Sequence, residues 1–104
     1  DAKIYRNCAI SIAKGADGDV RLASAQAADE LLTLENVKAS FVIYESGGKI
    51  CISARSFGAV NVQIIMEKLG GGGNSTTAGG QIPDGTVDAV REQLIAAIDQ
   101  YLEG

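Results

Sequence analysis

The chain has no histidine, no tryptophan, one proline and one methionine in 104 residues. The missing histidine excludes most. It removes imidazole metal ligation, Ser-His-Asp and Cys-His nucleophilic catalysis, and the side chain that titrates nearest neutrality. The two cysteines, Cys8 and Cys51, form no CxxC pair. Each lies in an apolar, strand-like segment, so both are expected as reduced, buried side chains in a reducing compartment, with a disulfide or a reactive thiol as the alternative. No apolar run approaches the ~20 residues a membrane-spanning helix needs. An excess of positive charge is absent as well: 9 Lys and Arg against 13 Asp and Glu give a net charge of −4. Nothing global therefore draws the chain to nucleic acid or anionic lipid, and any phosphate site has to be local. There is neither an initiator methionine nor a targeting segment, and the chain is expected to be a piece of a longer protein.

Hydrophobic residues make up 46% of the chain, enough for one domain with its own core. Cys8 to Ala13 alternates as a strand, with Cys8, Ile10 and Ile12 on one face. Lys14 to Asp19 is a polar connector. Ser24 is expected to cap a helix running to about Leu34, with Ala28, Leu31 and Leu32 as its apolar stripe. Val37 to Arg55 reads as a β-hairpin turning at Ser46-Gly47-Gly48. Asn61 to Leu69 reads as a short helix, ended by glycine. Gly80 to Ile82 is a short strand, Pro83-Asp84-Gly85 a turn, and Thr86 caps a last helix with Asp88 in its first turn. Val87, Val90, Leu94, Ile98 and Tyr101 carry that helix's buried face. The order β-α-β-β-α-β-α predicts one α/β domain over residues 1–104, a central mixed sheet with packed helices.

The stretch Gly70 to Gly80 is the sequence's most unusual feature. A flexible linker there would leave residues 81–104 as a lone amphipathic helix, which cannot bury its own apolar face. The glycines therefore lie inside the domain. There each costs roughly 0.5–1 kcal/mol against alanine, a cost that makes sense where φ is positive or another group must come close. Successive N–H groups in such a loop can form an anion nest, and Ser75, Thr76 and Thr77 add hydroxyls. Neither a Walker loop nor GxGxxG is present. The glycines also follow a helix C-terminus, whose dipole disfavours anions. A side-chain cation is therefore needed, and Arg55, between Ser53 and Ser56 at the hairpin's end, is the candidate.

Three segments occur together and in order: QAADELL at 26–32 followed by VKASFVIY at 37–44, ISARSFGAVNVQIIMEKL at 52–69, and GGGGNSTTAGGQ at 70–81. In these the chain resembles the DHHA1 domain, the C-terminal lobe of DHH-family phosphoesterases, and most of all that of bacterial cyclic-di-AMP phosphodiesterases of the GdpP type. The resemblance runs from about Cys8 to Tyr101. It implies a nucleotide-binding lobe that closes over a cleft while a preceding DHH lobe holds two divalent metals, usually manganese, and cleaves cyclic di-AMP to pApA. It implies further that Arg55 binds phosphate, that Asn61 is the polar residue opening the helix of its segment, and that Gly70, Gly71, Gly72 and Gly73 form the substrate loop. Where the family usually has histidine after the glycines, this chain has Asn74, which hydrogen-bonds but cannot become cationic.

With Ser53, Ser56, Thr76 and Thr77 added, these residues make up the expected substrate site; no catalytic or metal-binding residue is expected in the chain. Its 13 carboxylates are scattered, and Asp17, Asp19, Asp29, Glu30 and Glu45 read as solvated. Alone, the lobe is expected to be inactive, since two-metal hydrolysis needs a clustered ligand set. The expected partners are a cyclic dinucleotide or short linear nucleotide and the DHH lobe of the same parent chain, with no membrane contact by this segment. The parent is expected in the bacterial cytoplasm, or membrane-anchored with this lobe facing it. Two alternatives stand beside this reading. One is a lobe binding single-stranded nucleic acid or short oligonucleotides, as in RecJ-like and nanoRNA-degrading relatives. The other is a degenerate structural lobe that forms a homodimer.

Overall fold

The computed structural model describes residues 2–14 and 20–104. Nine elements follow in order: β1 (Lys3–Tyr5), β2 (Cys8–Ile12), α1 (Val20–Leu31), β3 (Ala39–Ser46), β4 (Lys49–Ser56), α2 (Val62–Glu67), β5 (Gly72–Gly73), β6 (Thr77–Ile82) and α3 (Val87–Glu103). They build one six-stranded sheet ordered β1-β2-β3-β4-β6-β5. Only β2 and β3 pair in parallel, joined through α1; every other neighbouring pair is antiparallel. The expected α/β domain with a mixed sheet is the observed one.

Alternation along the strands divides the sheet into two faces. Ile10, Phe41, Ile43, Ile52 and Ala54 point to one face and pack with Val62, Ile65 and Met66 of α2 and Val90, Leu94 and Ile98 of α3. This is the main core, and Phe41, Ile43, Ile65, Leu94 and Ile98 are fully buried in it. The opposite face carries α1. There Ala9, Leu32 and Val37 form a smaller cluster, and the Ser40 hydroxyl donates to the Ala28 carbonyl at 2.6 Å. Both cysteines are buried and free. Cys8 points to the α2/α3 face. Cys51, paired across the ladder with Tyr44, has the opposite parity and points to the α1 face. The sheet therefore separates the two sulfurs.

Several local expectations are corrected. The helix does not start at Ser24. It is already under way at Val20, and Ser24 lies inside it with no exposed surface. A small polar residue there lets α1 lie close on the sheet, as Ala28 does one turn later. The helix also stops at Leu31 rather than Leu34: Thr33 N–H turns back to the Glu30 carbonyl and Leu34 N–H to the Leu31 carbonyl. Strand β1 was not foreseen. It joins β2 through a two-residue turn in which Arg6 and Asn7 both have positive φ, 50° and 67°. That is the hairpin geometry usually signalled by Asn-Gly, and arginine conceals it. Strand β6 begins at Thr77, three residues ahead of the expected Gly80. The connector expected at Lys14 to Asp19, with Asp17 and Asp19, lies outside the described residues except for Lys14.

The cap expected at Thr86 is the observed one. Thr86 accepts from Ala89 N–H at 3.1 Å at the start of α3, with Asp88 in the first turn. Beneath the C-terminal end of α3, Tyr5 donates to both Asp99 carboxylate oxygens at 2.7 and 2.9 Å, and Arg6 bridges Asp99 and Glu103. This pins the new hairpin to the last helix.

Candidate nucleotide-binding cleft

Helix α1 packs mainly on β3 and β4 and does not reach the β6–β5 edge. The uncovered strip is a cleft of about 450 Å³, within the range of small-molecule sites. Its wall is Arg21 and Ala25 of α1 with Tyr44 of β3. Ser53 and Arg55 of β4 and the β6 stretch from Thr77 to Gln81 make the floor, and Gly72 and Gly73 of β5 close the edge. The ladder sets the spacing: Arg55 faces Thr77, Ser53 faces Gly79, and Cys51 faces Gln81.

Arg55 is the best-held cation here. Its side chain is 18% exposed; Nε sits 3.2 Å from the Asp29 carboxylate, and Nη1 donates to the Ala54 carbonyl at 2.9 Å. Asp29, expected to be merely solvated, is thus the partner that orients this guanidinium, although 65% of its own side chain is exposed. One of the five N–H groups of Arg55, on Nη1, is hydrogen-bonded, and the Nε side faces the ion pair with Asp29. Those left on Nη1 and Nη2 suffice for a two-bond contact to a phosphate.

The glycine run has a different local cause from the expected nest. Gly71 N–H returns to the Met66 carbonyl at 2.8 Å and Gly70 N–H to the Glu67 carbonyl at 3.2 Å, which closes α2. The chain then lies directly against β6. A Cβ on Gly71 would collide with the Gly79 carbonyl oxygen. Gly79 is excluded from carrying a side chain in the same way, by the Ile52 carbonyl at 2.7 Å. Backbone thus packs on backbone, and the cleft floor is bare at Gly79 and Gly80, beside the side chains of Ser53, Thr77 and Gln81.

The sequence-chosen residues separate into two groups. Arg55, Ser53, Gly72, Gly73 and Thr77 converge on the cleft. Ser56, Asn61, Gly70, Gly71, Asn74 and Thr76 are not among its lining residues. Ser56 is buried; its hydroxyl donates to the carbonyls of Val60 at 2.6 Å and Ser75 at 3.1 Å. Asn61 caps α2 by accepting from Ile64 N–H at 3.2 Å, and its own N–H meets the Tyr101 hydroxyl at 2.9 Å. Asn74 Oδ1 accepts from the N–H groups of Thr76 and Thr77 at 3.0 and 2.8 Å and from the Thr76 hydroxyl at 3.1 Å. That oxygen is spent on the β5–β6 turn, whereas the Nδ2 amide donates no bond among the described residues. Arg21, Tyr44, Gln81 and Asp29 were missed. Gln81 alternates with Thr77 and Gly79, which becomes readable only once β6 is known to start at Thr77. The other three depend on how α1 lies on the sheet.

Burial raises the Tyr44 phenol above its usual range, helped by Cys51, and Arg21 opposes the shift. Burial likewise raises the Cys51 thiol against the pull of Arg21. Asp29 of α1 meets Arg55, and Arg21 lies eight residues earlier on the same helix, about 12 Å along its axis, which sets Arg21 toward the other end of the cleft.

Residues 7–104 match the DHHA1 domain family. The chain belongs to that family. This DHHA1 domain is 54% identical over 98 residues to the cyclic-di-AMP phosphodiesterase GdpP of Geobacillus thermodenitrificans, covering 91% of the chain and 15% of that protein. It is also 54% identical over 82 residues to the cyclic-di-AMP phosphodiesterase PdeA of Listeria monocytogenes, covering 78% of the chain and 12% of that protein. The chain thus spans only about a seventh of the curated relatives it matches. Among solved structures, an exopolyphosphatase-related protein from Bacteroides fragilis superposes with a TM-score of 0.75 at 26% identity, over all of this chain and 33% of that one.

Proposed function

We propose that this DHHA1 domain is the nucleotide-binding lobe of a phosphodiesterase that hydrolyses cyclic di-AMP to pApA. The observation that carries the reading is Arg55. It is fixed by Asp29, keeps donors free at Nη1 and Nη2, and sits at the end of a cleft edged by glycine. Ser53 and Thr77 place hydroxyls beside it. The two 54%-identical relatives named as cyclic-di-AMP phosphodiesterases support the substrate. In this reading Arg55 holds a phosphate, the bare floor at Gly79 and Gly80 admits the nucleoside, and the DHH lobe of the parent brings the divalent metals and the attacking water. Among the described residues no three His, Cys, Asp or Glu side chains gather to hold a metal. The chain's own contribution is to bind and orient. The parent acts in the cytoplasm, where a reduced Cys8 and Cys51 are at home.

Calorimetric titration of the chain with cyclic di-AMP tests the assignment. Arg55→Ala is expected to weaken binding roughly 10- to 100-fold, the worth of a charge-assisted hydrogen bond. Unchanged affinity in that variant would remove the central residue from the reading.

A further inference from the structure

The cleft has a second end, which the phosphate reading does not use. Arg55 and Cys51 are four steps apart on β4, about 13 Å along the ladder. At that far end stand Tyr44, Arg21 and Gln81, with the bare backbone of Gly79 and Gly80 between the two ends. Tyr44 is 5% exposed and offers a fixed aromatic edge. Arg21 projects from the one helix that walls the cleft. Gln81 is exposed and makes no side-chain hydrogen bond among the described residues, so its carboxamide is available.

We propose that Gln81 reads the nucleobase and that the Arg21–Tyr44–Gln81 end of the cleft is an adenine-selective subsite. This rests on the nucleotide reading above and adds base choice to it. A carboxamide presents one acceptor and one donor side by side. Adenine answers with its N6 amino donor and N7 acceptor, so both bonds form. On that Hoogsteen edge guanine presents two acceptors, O6 and N7, and leaves the carboxamide oxygen facing an acceptor. The subsite therefore discriminates when the base turns this edge, rather than its Watson–Crick edge, to Gln81. A base lying over Gly79 and Gly80 meets no side chain from that part of β6, and the Arg21 guanidinium beside it supplies stacking. Arg55 fixes the phosphate end, and Gln81 then tests which base reaches the other.

The experiment is a titration of the chain with the linear dinucleotides pApA and pGpG, followed by calorimetry and by the amide signals of Arg55. Unmodified protein is expected to prefer pApA roughly tenfold or more, the discrimination of one bidentate pair. Gln81→Ala is expected to abolish that preference by weakening pApA, with the Arg55 signals still responding to both ligands. Because Gln81 is exposed, the variant keeps its fold, which an unchanged amide spectrum verifies. Equal affinity for both dinucleotides with Arg55 responding, or a preference that survives Gln81→Ala, overturns the base subsite and leaves the phosphate site standing. Binding of neither overturns both.

Discussion

The two faces of the sheet are made by the same strands and do opposite work. On the α2/α3 face, Phe41, Ile43, Ile52 and Ala54 meet two helices and leave no room. On the α1 face a single helix covers half of the sheet, and the other half carries Ser53, Arg55, Thr77, Gly79 and Gln81. One step along β4 passes from core to cleft, from Ile52 to Ser53 and from Ala54 to Arg55. Stability and binding are separated by strand parity rather than by distance. Substitutions on the two faces should therefore have effects that hardly mix.

The largest expected effect lies on the filled face. Phe41 is fully buried, and Phe41→Ala should cost about 3–5 kcal/mol in urea denaturation through lost burial and the cavity left behind. Next comes the edge where the backbones touch. Gly71→Ala must push β5 off β6 and should cost about 1–3 kcal/mol, with fast amide exchange appearing at Gly72 and Gly73. Asn74→Ala removes the acceptor that three groups share and should cost roughly 1 kcal/mol of stability, read as a lower melting temperature. Arg55→Ala sharpens the comparison from the other side: binding falls, yet stability stays within about 0.5 kcal/mol, since the Asp29 partner is largely exposed.

The smallest effect concerns pH. The Tyr5 hydroxyl, then Arg6, hold the Asp99 carboxyl below its usual range. Its contribution is present above about pH 4 and is lost as pH falls through the lowered value. At the other extreme, the hydrogen bond to Asp99 raises Tyr5, and burial lifts the Cys8 thiol from 9.0 to about 11. The unfolded chain releases these protons first, so stability declines as pH rises past about 9. With no histidine to titrate, the melting temperature should be flat from about pH 5 to 8. A melting series across pH 3 to 10 checks this.

How much of this was legible beforehand follows the same division. The filled face announces itself through alternation, and the hairpin, α2, α3 and the cap at Thr86 could be read directly, whereas Asn61, expected at the substrate, caps α2. Of the residues chosen from the sequence, Gly72, Gly73 and Arg55 line the cleft. What alternation cannot show is which residues of distant elements meet. The pairing of Asp29 with Arg55 and the approach of Arg21 to Tyr44 depend on where α1 settles, and Ser24 was misread because a buried helical serine resembles a cap. Asn74 drew interest as the replacement for a family histidine, but the structure shows its oxygen committed to holding the turn.

The most direct test of the account is an amide-resolved NMR titration of the chain with cyclic di-AMP. Shifts are expected to concentrate at Ser53, Arg55, Gly72, Gly73 and Thr77 to Gln81, with Val90, Leu94 and Ile98 on the opposite face silent. Shifts centred on Asn61 and α2, or none at millimolar ligand, would contradict the claim that the half-covered face binds the nucleotide.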